Sequence, residues 1–440
     1  MSRKRHAWVG VAIVATLDAQ VQHPERALSL AVDLPDAATR REAARQLAGR
    51  DDVSLDLWVR LLRRFGRFGA VAPGLHRHEV ALSLGGGRVA KTELFVHVPS
   101  GYQPDEPAPL LFAAHGTHDS GRNQHRPWAE VSEKLGSLIL APSDAGAVAG
   151  YGFSDIERDT AWAALRWARR RFNVDENRIF ASGISRGGHL VWDLALRAPD
   201  RFAALVPAIG GPRLNVAAGQ NNLRYLEQVA HLPIRDLQGA KDDPALLANL
   251  RWAFARLGDW DATDAELIEF AELGHDFEWT AVDWLAFLGG ARRQPLPDRV
   301  VRLAVTADTR AGRARAFWLD VLQVEPRAVA TFRPRVSAAQ WERLDTLAQR
   351  RLVQRQVDAR TGRLEVSLQA PGRFQARGHG VARFRLLLTE DMLDADGGVQ
   401  VRFSGKSVRA KPQPNALTLL TEFVERFDRT FLPVAEVVVP

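Results

Sequence analysis

The 440-residue chain contains no cysteine. Disulfides, a thiolate nucleophile and Cys-ligated zinc are therefore excluded, while the compartment stays open. Beyond the N-terminus there is no apolar run long enough to cross a bilayer. Internal repeats and low-complexity tracts are also absent. No nucleic-acid-binding motif accompanies the net charge of +7, which comes mostly from scattered arginines. The densest basic runs, Arg166–Phe172 and Gln349–Gln356, interleave with apolar residues at helical spacing, as solvated helix faces do. Neither a nucleic-acid partner nor stable membrane insertion is expected. What remains is an ordinary globular composition, 46% hydrophobic and 25% charged. The chain is long enough for two or three domains with a substantial core.

The N-terminus combines a basic start, an apolar run from Ala7 to Leu17 and a small residue, Ala19. That layout predicts a signal peptide over residues 1–22, export to the periplasm or exterior, and a mature chain beginning near Gln20. Asp18 and Leu17 fit the cleavage region poorly. A plain N-terminal helix or strand, with a cytoplasmic protein, is the alternative.

The periodicity divides the rest of the chain. Residues 23–74 read as a small helical segment, with Asp36 as an N-cap and Leu55, Leu57, Trp58, Leu61 and Leu62 near a 3.6-residue period. Residues 75–293 begin with two alternating strands around Gly85–Gly87. Short, continuously apolar runs such as "PLLFAAHG" and "LGSLILAPS" then alternate with helical patterns such as "DIERDTAWAALRWARRRF". Strands alternating with helices predict an α/β, doubly wound, mostly parallel sheet. After a proline-containing linker at Arg292–Val300, residues 298–440 alternate like antiparallel strands around one helix, "ALTLLTEFVERFD". They are expected to form a β-rich accessory domain with its own core and few contacts across the boundary, so that a chain ending near Arg293 would keep the complete chemistry unless an apolar interface between the two parts makes it aggregate.

The chemistry concentrates where strands end. "RIFASGISRGGHLVWDLAL" places Ser185 between Gly183 and Gly187 at a strand-to-helix turn, a geometry that thrusts a serine hydroxyl into the open. Serine needs a base in hydrogen-bond reach and a group that fixes the base's tautomer. An α/β-hydrolase supplies them in the order Ser, Asp or Glu, His. Here Gly239–Asp243 ("GAKDD") and Gly274–Phe277 ("GHDF") follow in that order. Upstream, His115-Gly116-Thr117 ends a strand where a backbone N–H can face a developing oxyanion. All four pieces lie at C-terminal ends of predicted strands, where open α/β sheets bind ligands.

On "HGTHDSG", the elbow segment, "LPIRDLQGAKDD" and "ELGHDF", residues 78–293 resemble the α/β-hydrolase superfamily. Within it they are similar to prolyl-oligopeptidase-like predicted peptidases and to polyhydroxyalkanoate depolymerase and feruloyl-esterase-like hydrolases. The resemblance implies nucleophile Ser185, acid Asp242 and base His275, with oxyanion donors at the backbone N–H of Arg186 and Thr117. Thr117 stands where many members carry glycine or an apolar residue, and Asp243 adjoins Asp242, so the acid is either of the two. The 298–440 region loosely resembles β-rich tails of bacterial hydrolases.

Other residues have a functional and a plain reading. His115, His118 and His125 could ligate a metal or form a strand-end loop, and His76 and His78 could be ligands or a structural pair; the plain readings are preferred, and neither metal nor cofactor is expected. His189 shares a helix face with Ser185 and should pack beneath the elbow. The twelve tryptophans read as core. Asn221, Asn222, Arg224 and Tyr225, in the Gly211–Pro233 segment, read equally as substrate contacts or as turn and helix-start residues. Three functions follow: a serine hydrolase of small or polymeric carboxylic esters, a serine peptidase, or a non-catalytic binding protein.

Overall fold

The computed structural model describes residues 23–85, 87–143, 150–214, 221–260, 264–333 and 335–440. The expected signal peptide at 1–22 lies outside the described residues, as do residues 215–220 of the Gly211–Pro233 segment.

An eight-stranded sheet organises residues 74–270. Its strands are β1 (Gly74–Gly85), β2 (Arg88–Val98), β3 (Ala108–Ala114), β4 (Leu138–Pro142), β5 (Val174–Ile184), β6 (Ala204–Ala208), β7 (Ile234–Gly239) and β8 (Ala265–Phe270), in the order β1-β2-β4-β3-β5-β6-β7-β8. β1 and β2 form an antiparallel hairpin, β2 pairs antiparallel with β4, and every later pairing is parallel. Every residue of β3, β4 and β6 is buried, which is why these strands read as continuous apolar runs rather than alternations.

Helices cover both faces. The N-terminal helices are α1 (Pro24–Asp33), α2 (Ala37–Ala48) and α3 (Leu55–Arg63). Asp36 caps α2, its carboxylate accepting the Thr39 N–H at 2.9 Å. Crossover helices follow as α4 (Ala129–Leu135), α5 (Asp155–Arg171), α6 (Arg186–Arg197) and α7 (Pro244–Asp259), and α8 (Trp284–Gly290) comes after the last strand of the sheet. α5 opens with a capping box between Ser154 and Glu157. Among the described residues no helix is long and apolar enough to cross a membrane.

Residues 299–439 add a four-stranded and a five-stranded sheet around a second core that includes Trp318, Phe374 and Phe384. The alternating run 312–324 breaks at Phe317 (φ 51°) into two short paired strands, Arg315–Ala316 and Leu319–Val324. His379 ends a strand, Arg373–His379, and the turn falls at Gly380 (φ 68°).

The loosely tethered accessory domain is not what the structure shows. Leu303, Val353 and Val357 sit in the same core as β3, β5 and α6. Helix α9 (Ala416–Arg426) packs on α1–α3, with Phe65 edge-on to Phe423 at 5.2 Å and to Phe427 at 5.5 Å. Arg293, at the expected cut point, is buried and paired with Asp428 at 2.6 and 3.1 Å. The proline pattern signalled an irregular connection, but it carries no information about what packs against that connection.

Candidate active site

β5 ends at Ile184, Ser185 takes φ 54° and ψ −111°, and α6 starts at Arg186. A β-carbon-bearing residue in that region is strained, and the surroundings hold it there. The Ser185 N–H donates to the Ala208 carbonyl at 2.8 Å, and the Ser185 carbonyl receives the His189 N–H at 3.1 Å. The flanking glycines are needed because backbone passes so close. A β-carbon on Gly183 would lie 2.2 Å from the Gly187 carbonyl oxygen, and one on Gly187 would lie 2.2 Å from that of Ala114.

His275 reaches this serine from the turn after β8. Its Nε2 lies 2.8 Å from Ser185 Oγ and its Nδ1 lies 2.8 Å from Asp242 Oδ2. A carboxylate only accepts, so it selects the tautomer protonated on Nδ1; the serine hydroxyl then donates to Nε2. The acid-bearing and histidine-bearing turns are laced together: Ala240 N–H donates to Phe270 and Lys241 N–H to Leu273. Gly239 permits the contact, since a β-carbon there would fall 1.9 Å from the Gly274 carbonyl oxygen.

The two aspartates separate cleanly. Asp243 faces away and caps α7, accepting the N–H groups of Ala245 and Leu246 at 2.7 and 2.9 Å. Asp242 faces His275. Its Oδ1 accepts the Asp243 N–H at 2.7 Å, and its Oδ2 also accepts from Gln238 Nε2 at 2.7 Å. Burial pushes the Asp242 carboxyl up, but these bonds together hold it below the usual carboxylate range. Gln238 was missed by sequence reasoning. It is buried on β7 directly before Gly239, and its only signal was a polar residue in an otherwise buried strand end.

The His115-Gly116-Thr117 turn lies against the elbow. A β-carbon built on Gly116 would sit 3.7 Å from Ser185 Cβ. The Arg186 backbone occupies the first position of α6, while its guanidinium is buried and bound to Glu157 at 2.7 Å and to the Gly150 carbonyl at 3.0 Å. Its side chain is therefore committed inward, and the backbone alone faces the serine's side of the turn.

Four expected substrate contacts are corrected. Asn221, Asn222, Arg224 and Tyr225 are all buried. Asn222 accepts the Arg213 N–H and donates to Asp193. Arg224 binds the carbonyls of Asn221, Val329 and Ala330, and the Tyr225 hydroxyl donates to Asp308 at 2.5 Å. The 298–440 region covers this segment, and its polar groups satisfy the packing rather than a ligand.

Five of the histidines rest on neighbouring protein groups, and the His76 and His78 rings stack at 6.4 Å. His115 Nδ1 lies 2.7 Å from the Gly116 carbonyl oxygen and His125 Nδ1 lies 2.9 Å from that of Arg122. His76 contacts the Ala72 carbonyl, and His78 packs on Trp167. His189 lies under the elbow against Gly211, where burial lowers its pKa. Trp128, Trp279 and Trp284 form one aromatic cluster at ring distances of 4.6–5.4 Å, bracing the chain that follows His275.

No protein-family model matches the chain. It is 28% identical over 181 residues to feruloyl esterase C of Emericella nidulans, covering 38% of this chain and 64% of that protein. It is 25% identical over 162 residues to a bifunctional acetylxylan esterase/xylanase of Neocallimastix patriciarum, covering 35% and 22%. It is 26% identical over 132 residues to poly(3-hydroxyalkanoate) depolymerase C of Paucimonas lemoignei, covering 27% and 31%. The matches thus span between 22% and 64% of these relatives' own lengths. The strand order and the strand-to-helix serine turn are those of the α/β-hydrolase fold.

Proposed function

We propose that the protein is a serine hydrolase that cleaves carboxylic esters, of small molecules or polymers, through an acyl-enzyme. Ser185 Oγ attacks the ester carbonyl as His275 Nε2 takes its proton. Asp242 keeps the imidazole in the required tautomer and stabilises the imidazolium. The backbone N–H groups of Arg186 and Thr117 receive the oxyanion. His275 returns the proton to the leaving alcohol, then activates the water that frees the acid. The observation that carries this reading is the unbroken chain of 2.8 Å contacts from Ser185 through His275 to Asp242, on a serine held at a strained φ. The names of the three relatives favour an ester as the bond cleaved.

Purified protein assayed on p-nitrophenyl acetate, methyl ferulate and a matched anilide tests the reading. Ester turnover is expected, with the anilide far slower, and Ser185→Ala should lose roughly a millionfold in kcat. Folded protein inert on every ester would favour the binding-protein alternative, and preference for the anilide would favour a peptidase.

A further inference from the structure

A second site lies at the end of the sheet opposite the candidate active site. There α1, α2, β1, α5 and α9 enclose a cavity of about 730 Å³ that shares no residue with Ser185, Asp242 or His275. Eight arginines and five carboxylates line it. The carboxylates do not balance the arginines. Asp159 is taken by Arg88 and Arg313, and Glu425 by Arg41, none of which lines the cavity. Asp33 pairs with Arg170 and Asp428 with Arg293. Glu176 is divided between Arg169 and Arg429. Among the described residues Arg40, Arg166, Arg171 and Arg201 have no carboxylate at ion-pair distance; Asp36 and Glu425 act on Arg40, Asp33 on Arg166, and Asp200 and Asp428 on Arg201 only from farther away.

What these four do contact carries at most partial charge. Arg40 donates to the Leu34 carbonyl. Arg166 donates to the carbonyls of Val32, Val424 and Glu425, and Arg201 to that of Arg426. These are C-terminal carbonyls of α1 and α9, each helix end equivalent to roughly half a negative charge. Arg171 lies over the Trp167 ring. Among the described residues the Nε atoms of Arg40 and of the buried Arg169 have no acceptor. Arg40, Arg166 and Arg201 are half-buried, and cations drawn out of water without a paired counter-charge are costly. Burial, and then repulsion from Arg40 and Arg169, pulls the Arg166 guanidinium down to about 9; Arg40, Arg169 and Arg201 are lowered too, in each case first by burial. Guanidinium forks match phosphate and carboxylate oxygens in pairs.

We propose that this cavity binds a small polyanion, of the polycarboxylate or phosphate class, at the arginines Arg40, Arg166, Arg169 and Arg201. Its volume lies within the range of small-molecule sites. Bound there, the anion joins the N-terminal helices, the edge hairpin and α9 around one charge centre.

Calorimetry and thermal shift on the full chain, with sodium pyrophosphate and with citrate, test this at low salt. One site per chain is expected for at least one anion, with a higher Tm and affinity that falls as NaCl is added. Pyrophosphate alone would mark the phosphate class, and citrate alone the carboxylate class. Arg166→Gln should weaken binding by about tenfold or more. The partly exposed Arg40→Gln, which is less exposed to folding failure, should weaken it as well. Ser185→Ala should bind like the parent, and the anion should leave fluorophosphonate labelling of Ser185 unchanged. The proposal is overturned if neither anion binds at about 10 mM. It is also overturned if Arg40→Gln binds as the parent does, or if Ser185→Ala abolishes binding.

Discussion

Asp242 and Asp243 are neighbours with different tasks, and the difference is one of direction. Asp242 points its carboxylate at His275, whereas Asp243 spends its own on the first turn of α7. In the proposed mechanism Asp242→Asn leaves His275 with the wrong tautomer and should cost about 10⁴ in kcat. Asp243→Asn keeps a capping oxygen and should change kcat little, while Asp243→Ala should lose about 1 kcal/mol of stability by urea titration. Equal kcat losses in the two Asn variants would contradict this assignment. The sequence contained the acid-bearing "GAKDD" but not the choice within it, because which of two adjacent side chains turns inward depends on where the following helix begins. The same limit left Asn221, Asn222, Arg224 and Tyr225 undecided between substrate contacts and structural residues. Polar residues in a loop look alike in sequence whether they meet a ligand or a covering segment.

Between elements, β7 and α6 meet at a buried carboxyl. Asp236 is fully buried, its Oδ2 accepts from Trp192 Nε1 at 2.7 Å, and its Oδ1 has no partner among the described residues. Burial pushes this carboxyl well above the usual range, against the smaller pull of the indole bond. The folded state therefore keeps a proton that the unfolded chain has lost above about pH 3.9. Folding thus binds protons, and this group's contribution to stability falls as pH rises from that value toward the raised folded pKa. Asp236→Asn preserves the acceptor for Trp192 without the titration. Its Tm relative to the parent should rise progressively from pH 4 to pH 7; a gap constant with pH would contradict the assignment. At this scale the sequence was most legible. Continuous apolar runs marked the central strands, and glycine-flanked Ser185 marked the turn, because both signals are local. The Phe317 turn and the strand ending at His379 were not legible, since alternation persists through a tight turn.

Across the whole molecule, the least legible feature was the way the two ends of the chain meet. α9 completes the core of α1–α3, and Arg293 is joined to Asp428 across 135 residues of sequence. No local pattern encodes such a pairing. Arg293→Ala leaves Asp428 buried, and removing one partner of a buried pair costs about 3–5 kcal/mol. Urea denaturation should show a loss of that size, whereas a loss typical of an exposed pair, below about 1 kcal/mol, would place the boundary in solvent. By the same argument a chain ending at Arg293 should be unstable, since it strips cover from two cores. The account nevertheless rests on one serine. Treatment of the full chain with a fluorophosphonate, followed by mass mapping of the peptides, measures that serine's reactivity directly. The expected result is a single adduct on Ser185, absent from Ser185→Ala; folded protein with no adduct, or with its adduct on another residue, would contradict it.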